Sequence, residues 1–290
     1  MWVGHRPPPL GGAPIVDAAS AAGRGRSAGG RPVAPDSHQP GTPVSRRALE
    51  EAAFRSAPDR EAYLREHSGL PGPRGNLELI DVASAAGDRA DLVRWAGLGP
   101  EIAPENTPDV FLACVGIVGL GRIVAAGDRS FLPALRGCSS DPRWRAREAV
   151  AMALQAWGDV DPDALVDEME RWASGSPLEG RAAMAALCEP RLLRDPRTIA
   201  RTLAILDRLT ATVRDAADGR ADNVRILRQA LGYGWSVAVA ADVRLGLPAL
   251  ERWVSDPNAD VRWIVRQNLA KARLARAAPG WVERARATVA

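Results

Sequence analysis

One stretch of this chain is a second copy of another. Laid without a gap over residues 247–269, residues 132–154 agree at ten of 23 positions. Leu132-Pro133-Ala134-Leu135 falls on Leu247-Pro248-Ala249-Leu250, and Ser140-Asp141-Pro142 falls on Ser255-Asp256-Pro257. Arg147 meets Arg262, Val150 meets Val265 and Leu154 meets Leu269. The offset of 115 residues is three units of about 38. Weaker copies belong between the two, and Arg181 with Leu187 and Arg225 with Leu231 supply them, while Phe111 marks one more upstream. The successive spacings of 36, 34, 44 and 37 residues fit one unit with loops of variable length. A period of this size restricts the chain to architectures whose unit cannot bury its own apolar face and must stack on neighbours.

The unit is helical. Val261, Ile264, Val265, Leu269 and Ala272 follow helical spacing, as do Ala146, Ala149, Val150, Ala153, Leu154 and Trp157. Ala and Leu dominate, and only two Tyr and three Phe are present, which argues against a β-sandwich or barrel. Asp or Thr followed by Pro is read as a helix start at Thr107-Pro108, Asp141-Pro142, Asp161-Pro162, Asp195-Pro196 and Asp256-Pro257. There a side-chain oxygen accepts from free first-turn amides, and Pro gives up no hydrogen bond. About ten helices of roughly 10–20 residues are expected.

The pattern that runs through Leu132-Pro133-Ala134-Leu135, Asp141-Pro142, Arg147, Val150 and Leu154 resembles the HEAT repeat, the two-helix unit of armadillo-type proteins. The resemblance covers residues 76–290 and implies an all-α fold, an α-solenoid (armadillo-type superhelix) of roughly five HEAT-like helix pairs. It sets a first helix at Leu132–Gly137 or Leu247–Val254 and a second at Arg143–Trp157 or Asp260–Arg273. It also implies that the second helices line a concave groove, and that Arg147 and Arg262 pair with a turn aspartate such as Asp141 or Asp256.

Upstream, residues 1–43 hold eight Pro and eight Gly with no helix or strand period, so this arm is expected to be disordered. Residues 44–75 read as a helical cap region, helical from Arg46 to His67 and closing on the loop Gly69-Leu70-Pro71-Gly72-Pro73. Without residues 1–43 the chain carries 34 basic against 33 acidic groups, so no whole-molecule attraction to nucleic acid is expected. Locally, seven bases face two acids from Asp260 to Ala290.

Catalytic signatures are missing. His67 is the one histidine outside the arm and Lys271 the one lysine, which disfavours a His-based triad and excludes a P-loop. Gly116, Gly119 and Gly121 lack dinucleotide spacing and are read as a close helix–helix contact. The acids Asp159, Asp161, Asp163, Asp167, Glu168 and Glu170 lack the glycine and terminal glutamate of a calcium loop, and read as a capped, solvated helix start. Cys114, Cys138 and Cys188 read as buried free thiols of a reducing compartment. No 18-residue apolar run and no signal peptide are read, and the expected location is cytoplasmic. No catalytic residue, metal, cofactor or membrane partner is expected.

Binding chemistry remains. Nine tryptophans stand beside a near-monopoly of arginine among the bases, often as neighbours: Arg94-Trp95, Arg143-Trp144-Arg145, Arg171-Trp172, Arg252-Trp253 and Arg262-Trp263. Such neighbours lie about 100° apart on a helix, so each pair is expected to divide between two faces, most rings packing at repeat junctions under an arginine rim. Trp144, Arg147, Arg262, Trp263 and Arg266 are candidate groove residues, where ring faces and guanidinium forks hold a peptide, a nucleobase or phosphates. Two glycines beside Tyr233 and Trp235 mark either close packing or a ligand-facing notch. The expected function is a non-catalytic binding or scaffold protein that holds a protein partner in the groove. The alternative is a DNA binder, or a glycosylase or lesion reader similar to the DNA alkylation repeat proteins.

Overall fold

The computed structural model describes residues 45–289, and the arm expected over residues 1–43 lies outside them. Among the described residues there is no strand, and fifteen α-helices follow one another. They are α1 (Arg46–Ser56), α2 (Arg60–Glu66), α3 (Leu77–Ala86), α4 (Arg89–Ala96), α5 (Pro108–Ala125), α6 (Leu132–Cys138), α7 (Trp144–Gly158) and α8 (Pro162–Trp172). Then come α9 (Pro177–Leu187), α10 (Pro196–Arg214), α11 (Asp222–Ala241), α12 (Val243–Val254), α13 (Ala259–Leu269), α14 (Ala272–Ala277) and α15 (Pro279–Val289). The count exceeds the expected ten because α2, α4, α6 and α14 are too short for a clear apolar period, and α14 is cut from α13 at Ala270. Ala272 is therefore exposed rather than part of the α13 stripe, whose Val261, Ile264, Val265 and Leu269 are buried.

Odd-numbered helices pack in succession, from α1 on α3 through to α13 on α15. From α4 on, even-numbered ones lie against the odd helix that follows, as α4 on α5, α6 on α7, α8 on α9, α10 on α11 and α12 on α13, whereas α2 packs on α5. Phe111, Arg147, Arg225 and Arg262 are each the fourth residue of α5, α7, α11 and α13, and Arg181 is the fifth of α9. The sequence copies thus occupy equivalent helix positions.

Three of the five Asp/Thr-Pro pairs open helices. Pro sits in the first turn of α5, α8 and α10, and Asp161 and Asp195 accept from the Ala164 and Thr198 amides at 3.1 and 3.0 Å. Asp141-Pro142 and Asp256-Pro257 do not. They form the turn before the helix, where each aspartate accepts from the amide two residues on at 2.8 Å, and Asn258 rather than Asp256 caps α13. This hydrogen bond, common to the two turns, is what the Asp-Pro of the strongest sequence match encodes.

Close approach between helices needs glycine. A Cβ on Gly116 would lie 2.1 Å from the Ala96 amide of α4, and one on Gly121 would lie 2.3 Å from the Ala153 carbonyl of α7. The α5 helix that these glycines serve has 18 residues of mean hydropathy 1.8, so an apolar run of membrane-spanning length does exist, contrary to expectation. Most of it is buried, and α3, α4 and α7 pack against it.

Candidate binding face of the odd-numbered helices

The aromatic residues sort by depth. Trp95, Trp157, Trp172 and Trp235 are fully buried and Trp253 nearly so, Trp263 and Trp281 are half-buried, and Trp144 is 41% exposed. An indole N–H that leaves water needs an acceptor. Trp95 finds Glu61 at 3.0 Å, Trp172 finds Glu168 at 2.8 Å, Trp253 finds Asp207 at 3.0 Å, and Trp281 donates to Glu251. In the first three cases the arginine just before the tryptophan donates to the same carboxylate: Arg94 to Glu61, Arg171 to Glu168 and Arg252 to Asp207. The expected division of each pair between two faces holds for these three, the ring buried and the arginine exposed at its rim, and the shared carboxylate joins the two. A long arginine stem carries its guanidinium round the helix to meet a donor on the edge of the ring.

Trp235 is not a groove residue. It is buried, and its Nε1 donates to Thr210 Oγ1 at 3.0 Å. Its glycine neighbours serve packing: a Cβ on Gly234 would lie 2.4 Å from Met184 Sδ, and one on Gly232 2.9 Å from the Trp263 ring. Buried Asn268 of α13 also enters this part of α11, donating to the Leu231 carbonyl and accepting from the Ser236 amide, both at 2.8 Å. Tyr233 is half-buried and occupied, since Arg273 donates to its hydroxyl at 2.7 Å and lies 4.8 Å over its ring. No notch is lined by this pair.

The remaining candidates lie on the solvent edges of α7 and α13. Trp144 is the first residue of α7, its ring stacked 4.4 Å from the Arg145 guanidinium. Arg145 is itself fixed, donating to the Gly72 carbonyl at 2.7 Å and Asn106 Oδ1 at 3.0 Å, so the platform under the exposed ring is rigid. Arg147 is half-buried and donates to the Pro142 carbonyl at 2.9 Å and to the Asp141 carbonyl, not to the Asp141 carboxylate. That carboxylate belongs to Arg143, which is 4% exposed, holds both oxygens at 2.9 and 2.6 Å and reaches the Ala103 carbonyl at 2.9 Å. Burial opposes ionisation of Asp141, but the Arg143 hydrogen bonds outweigh it and hold its carboxyl below the ordinary value. Burial, then the neighbouring Arg181, pulls Arg147 below its ordinary value.

Arg262 is exposed and makes no ion pair or hydrogen bond among the described residues, so the expected pairing with Asp256 does not form. Trp263 lies beneath the Arg228 guanidinium at 4.8 Å, and Arg228 is turned there by Asp260. Arg266 is exposed and reaches only the Val289 carbonyl, at 3.4 Å. An open cavity of about 800 Å³ lies beside Arg228, between Asp218, Gly219 and Arg220 of the α10–α11 loop, Arg225 and Asp260. The sequence reading missed Arg181 and Arg228 as members of this face. Arg181 joins α9 to α7 by donating to the Arg147 carbonyl at 3.0 Å and pairing with Glu148.

The charge on α7, α9, α11 and α13 is unevenly satisfied. Their acids Glu148, Glu179, Asp222 and Asp260 pair with Arg181, Arg136, Arg225 and Arg228. Arg147, Arg262 and Arg266 have no carboxylate partner among the described residues. The acids of Asp159–Glu170 are absorbed differently: Asp161 caps α8, Asp159 pairs with Arg191, and Asp167 and Glu170 pair with Arg201. Cys114 and Cys188 are buried, with thiols pushed up to about 12 by that burial, while Cys138 is half-buried. No family model, curated protein or solved structure matches the chain.

Proposed function

We propose that the chain is a non-catalytic binding module, an α-solenoid of HEAT-like helix pairs whose odd-numbered helices hold an acidic segment of a protein partner. The succession of odd helices and the equivalent positions of Phe111, Arg147, Arg181, Arg225 and Arg262 support the repeat. One observation carries the binding reading. On α7, α9, α11 and α13 every acid already has an arginine, yet Arg147, Arg262 and Arg266 have no carboxylate, beside the exposed ring of Trp144 and the half-buried ring of Trp263. Rigid aromatic rings and unpaired guanidiniums are the groups that anchor protein interfaces. On the even-numbered helices Arg94, Arg171, Arg201 and Arg252 are spent on carboxylates, while Arg197 and Arg208 of α10 and Arg276 of α14, which have no carboxylate partner among the described residues, stand on helices without a tryptophan.

Purified protein titrated with a fluorescein-labelled Glu-Gly repeat peptide, its Gln-Gly counterpart and a duplex DNA tests this reading. Saturable binding of the Glu-Gly peptide, absent for Gln-Gly, is expected. No binding of the Glu-Gly peptide would refute it. Tighter binding of the duplex, with affinity falling steeply as salt rises, would favour the nucleic-acid alternative instead.

A further inference from the structure

We infer that Arg262 and Trp263 form an unfilled carboxylate clamp that takes one Asp or Glu side chain of the bound segment. The inference rests on the acidic-segment reading above and gives it an address. Arginine directly precedes tryptophan five times in the sequence. Inside α4, α8 and α12 the two side chains converge on one carboxylate, Glu61, Glu168 and Asp207 respectively. At the start of α7 the arrangement differs, because Arg143 is buried on Asp141. The fifth pair, Arg262-Trp263, lies inside α13 with the same local backbone as the first three. Neither its guanidinium nor its indole N–H has an acceptor among the described residues, and the indole nitrogen is not a buried one.

Comparison of α8 with α13 shows what is missing. In α8 the carboxylate comes from the same helix, Glu168 standing three residues before Arg171 and four before Trp172. The residue so placed in α13 is Ala259, and it is exposed. No other acid replaces it, for Asp260, the acid nearest in sequence, is committed to Arg228. The indole donor is nonetheless held ready, with the exposed Arg262 beside it. Trp263 packs against Gly232 of α11, where a Cβ would come within 2.9 Å of the ring, and the Arg228 guanidinium lies over it at 4.8 Å. Arg266, one turn on, adds a second unpaired cation. A carboxylate from outside accepts both donors at once, one from the guanidinium and one from the indole, in an arrangement this chain builds three times for itself. Charge-assisted hydrogen bonds to preorganised donors are the strong kind.

The test uses full-length protein labelled with ¹⁵N-tryptophan, with the Trp263 indole resonance assigned by Trp263→Phe. Addition of the Glu-Gly repeat peptide is expected to move the Trp263 indole signal saturably. Ala259→Glu supplies the missing carboxylate from within, as Glu168 does in α8. It should move the same signal without peptide and weaken peptide binding about tenfold or more. Ala259→Gln, alike in size without the charge, should keep most of the binding, and Arg262→Gln should lose it to the same extent as Ala259→Glu. Both positions, 259 and 262, face solvent, and unchanged circular dichroism confirms the fold. Peptide binding with the Trp263 signal unmoved, or undiminished in Ala259→Glu, would overturn the clamp while the acidic-segment reading stands. Absence of any peptide binding would overturn both.

Discussion

Gly121→Ala sets two physical effects of opposite sign against each other. Replacing glycine inside a helix by alanine normally stabilises by about 1 kcal/mol, because the unfolded chain loses freedom that folding would otherwise remove. At Gly121 the new Cβ would lie 2.3, 2.5 and 2.6 Å from the carbonyl oxygen, Cα and carbonyl carbon of Ala153. Ordinary contact needs about 3.5 Å, so α5 and α7 must move apart by roughly 1 Å. All three atoms are backbone, and no side chain can swing away. Overpacking of this kind costs about 1–3 kcal/mol, and the rigid neighbour argues for the upper end. The net expectation is a loss of about 1–2 kcal/mol. Gly137 of α6 is the control, since a Cβ there meets nothing within 4 Å and alanine should stabilise by about 0.5–1 kcal/mol. Urea unfolding followed by tryptophan fluorescence gives both midpoints. If Gly121→Ala equals or exceeds the wild type in stability, the close α5–α7 contact is not what that glycine serves.

Other consequences can be checked on the same protein. Arg143→Met should cost about 3 kcal/mol by stranding the Asp141 carboxylate, whereas Arg147→Met should cost about 1 kcal/mol; equal losses in urea unfolding would contradict the observed pairing. Glu61 is held below the ordinary carboxylate value, first by the Trp95 indole and then by Arg94. A depressed folded pKa stabilises above the unfolded value, near about 4.3, and that stabilisation disappears as pH falls through the folded one. Glu61→Gln should therefore flatten the acid limb of a stability–pH curve; an unchanged limb would remove Glu61 from it. Thiol titration at pH 8 should find Cys138 reacting ahead of Cys114 and Cys188, both held at about 12, with all three reacting in denaturant.

The parts of this fold written in local, repeated signals were readable. Capping aspartates with a following proline located α8 and α10, and the match between residues 132–154 and 247–269 located equivalent turns. What escaped depends on which of several competing partners wins in space. Arg143 and Arg147 both lie within reach of Asp141, and only the buried position of Arg143 decides between them. Helix periodicity placed Trp235 beside Tyr233 as a pair, but could not show that Thr210 waits for one ring and Arg273 for the other. Of the seven candidate site residues, Trp144, Arg147, Arg262, Trp263 and Arg266 stand exposed or half-buried on α7 and α13, whereas Trp235 is buried and Tyr233 is taken by Arg273. The shared carboxylates of the Arg–Trp pairs were invisible because two of the three acids come from another helix.

The face of the odd-numbered helices can be separated from charge alone by two triple variants that change net charge equally. Arg147→Gln, Arg262→Gln and Arg266→Gln remove the guanidiniums without carboxylate partners, while Arg171→Gln, Arg197→Gln and Arg244→Gln remove exposed ones from α8, α10 and α12. Fluorescence anisotropy with the labelled Glu-Gly repeat peptide at fixed salt should show binding lost in the first triple and kept in the second. Equal binding by both triples would mean that the odd-numbered helices hold no acidic segment.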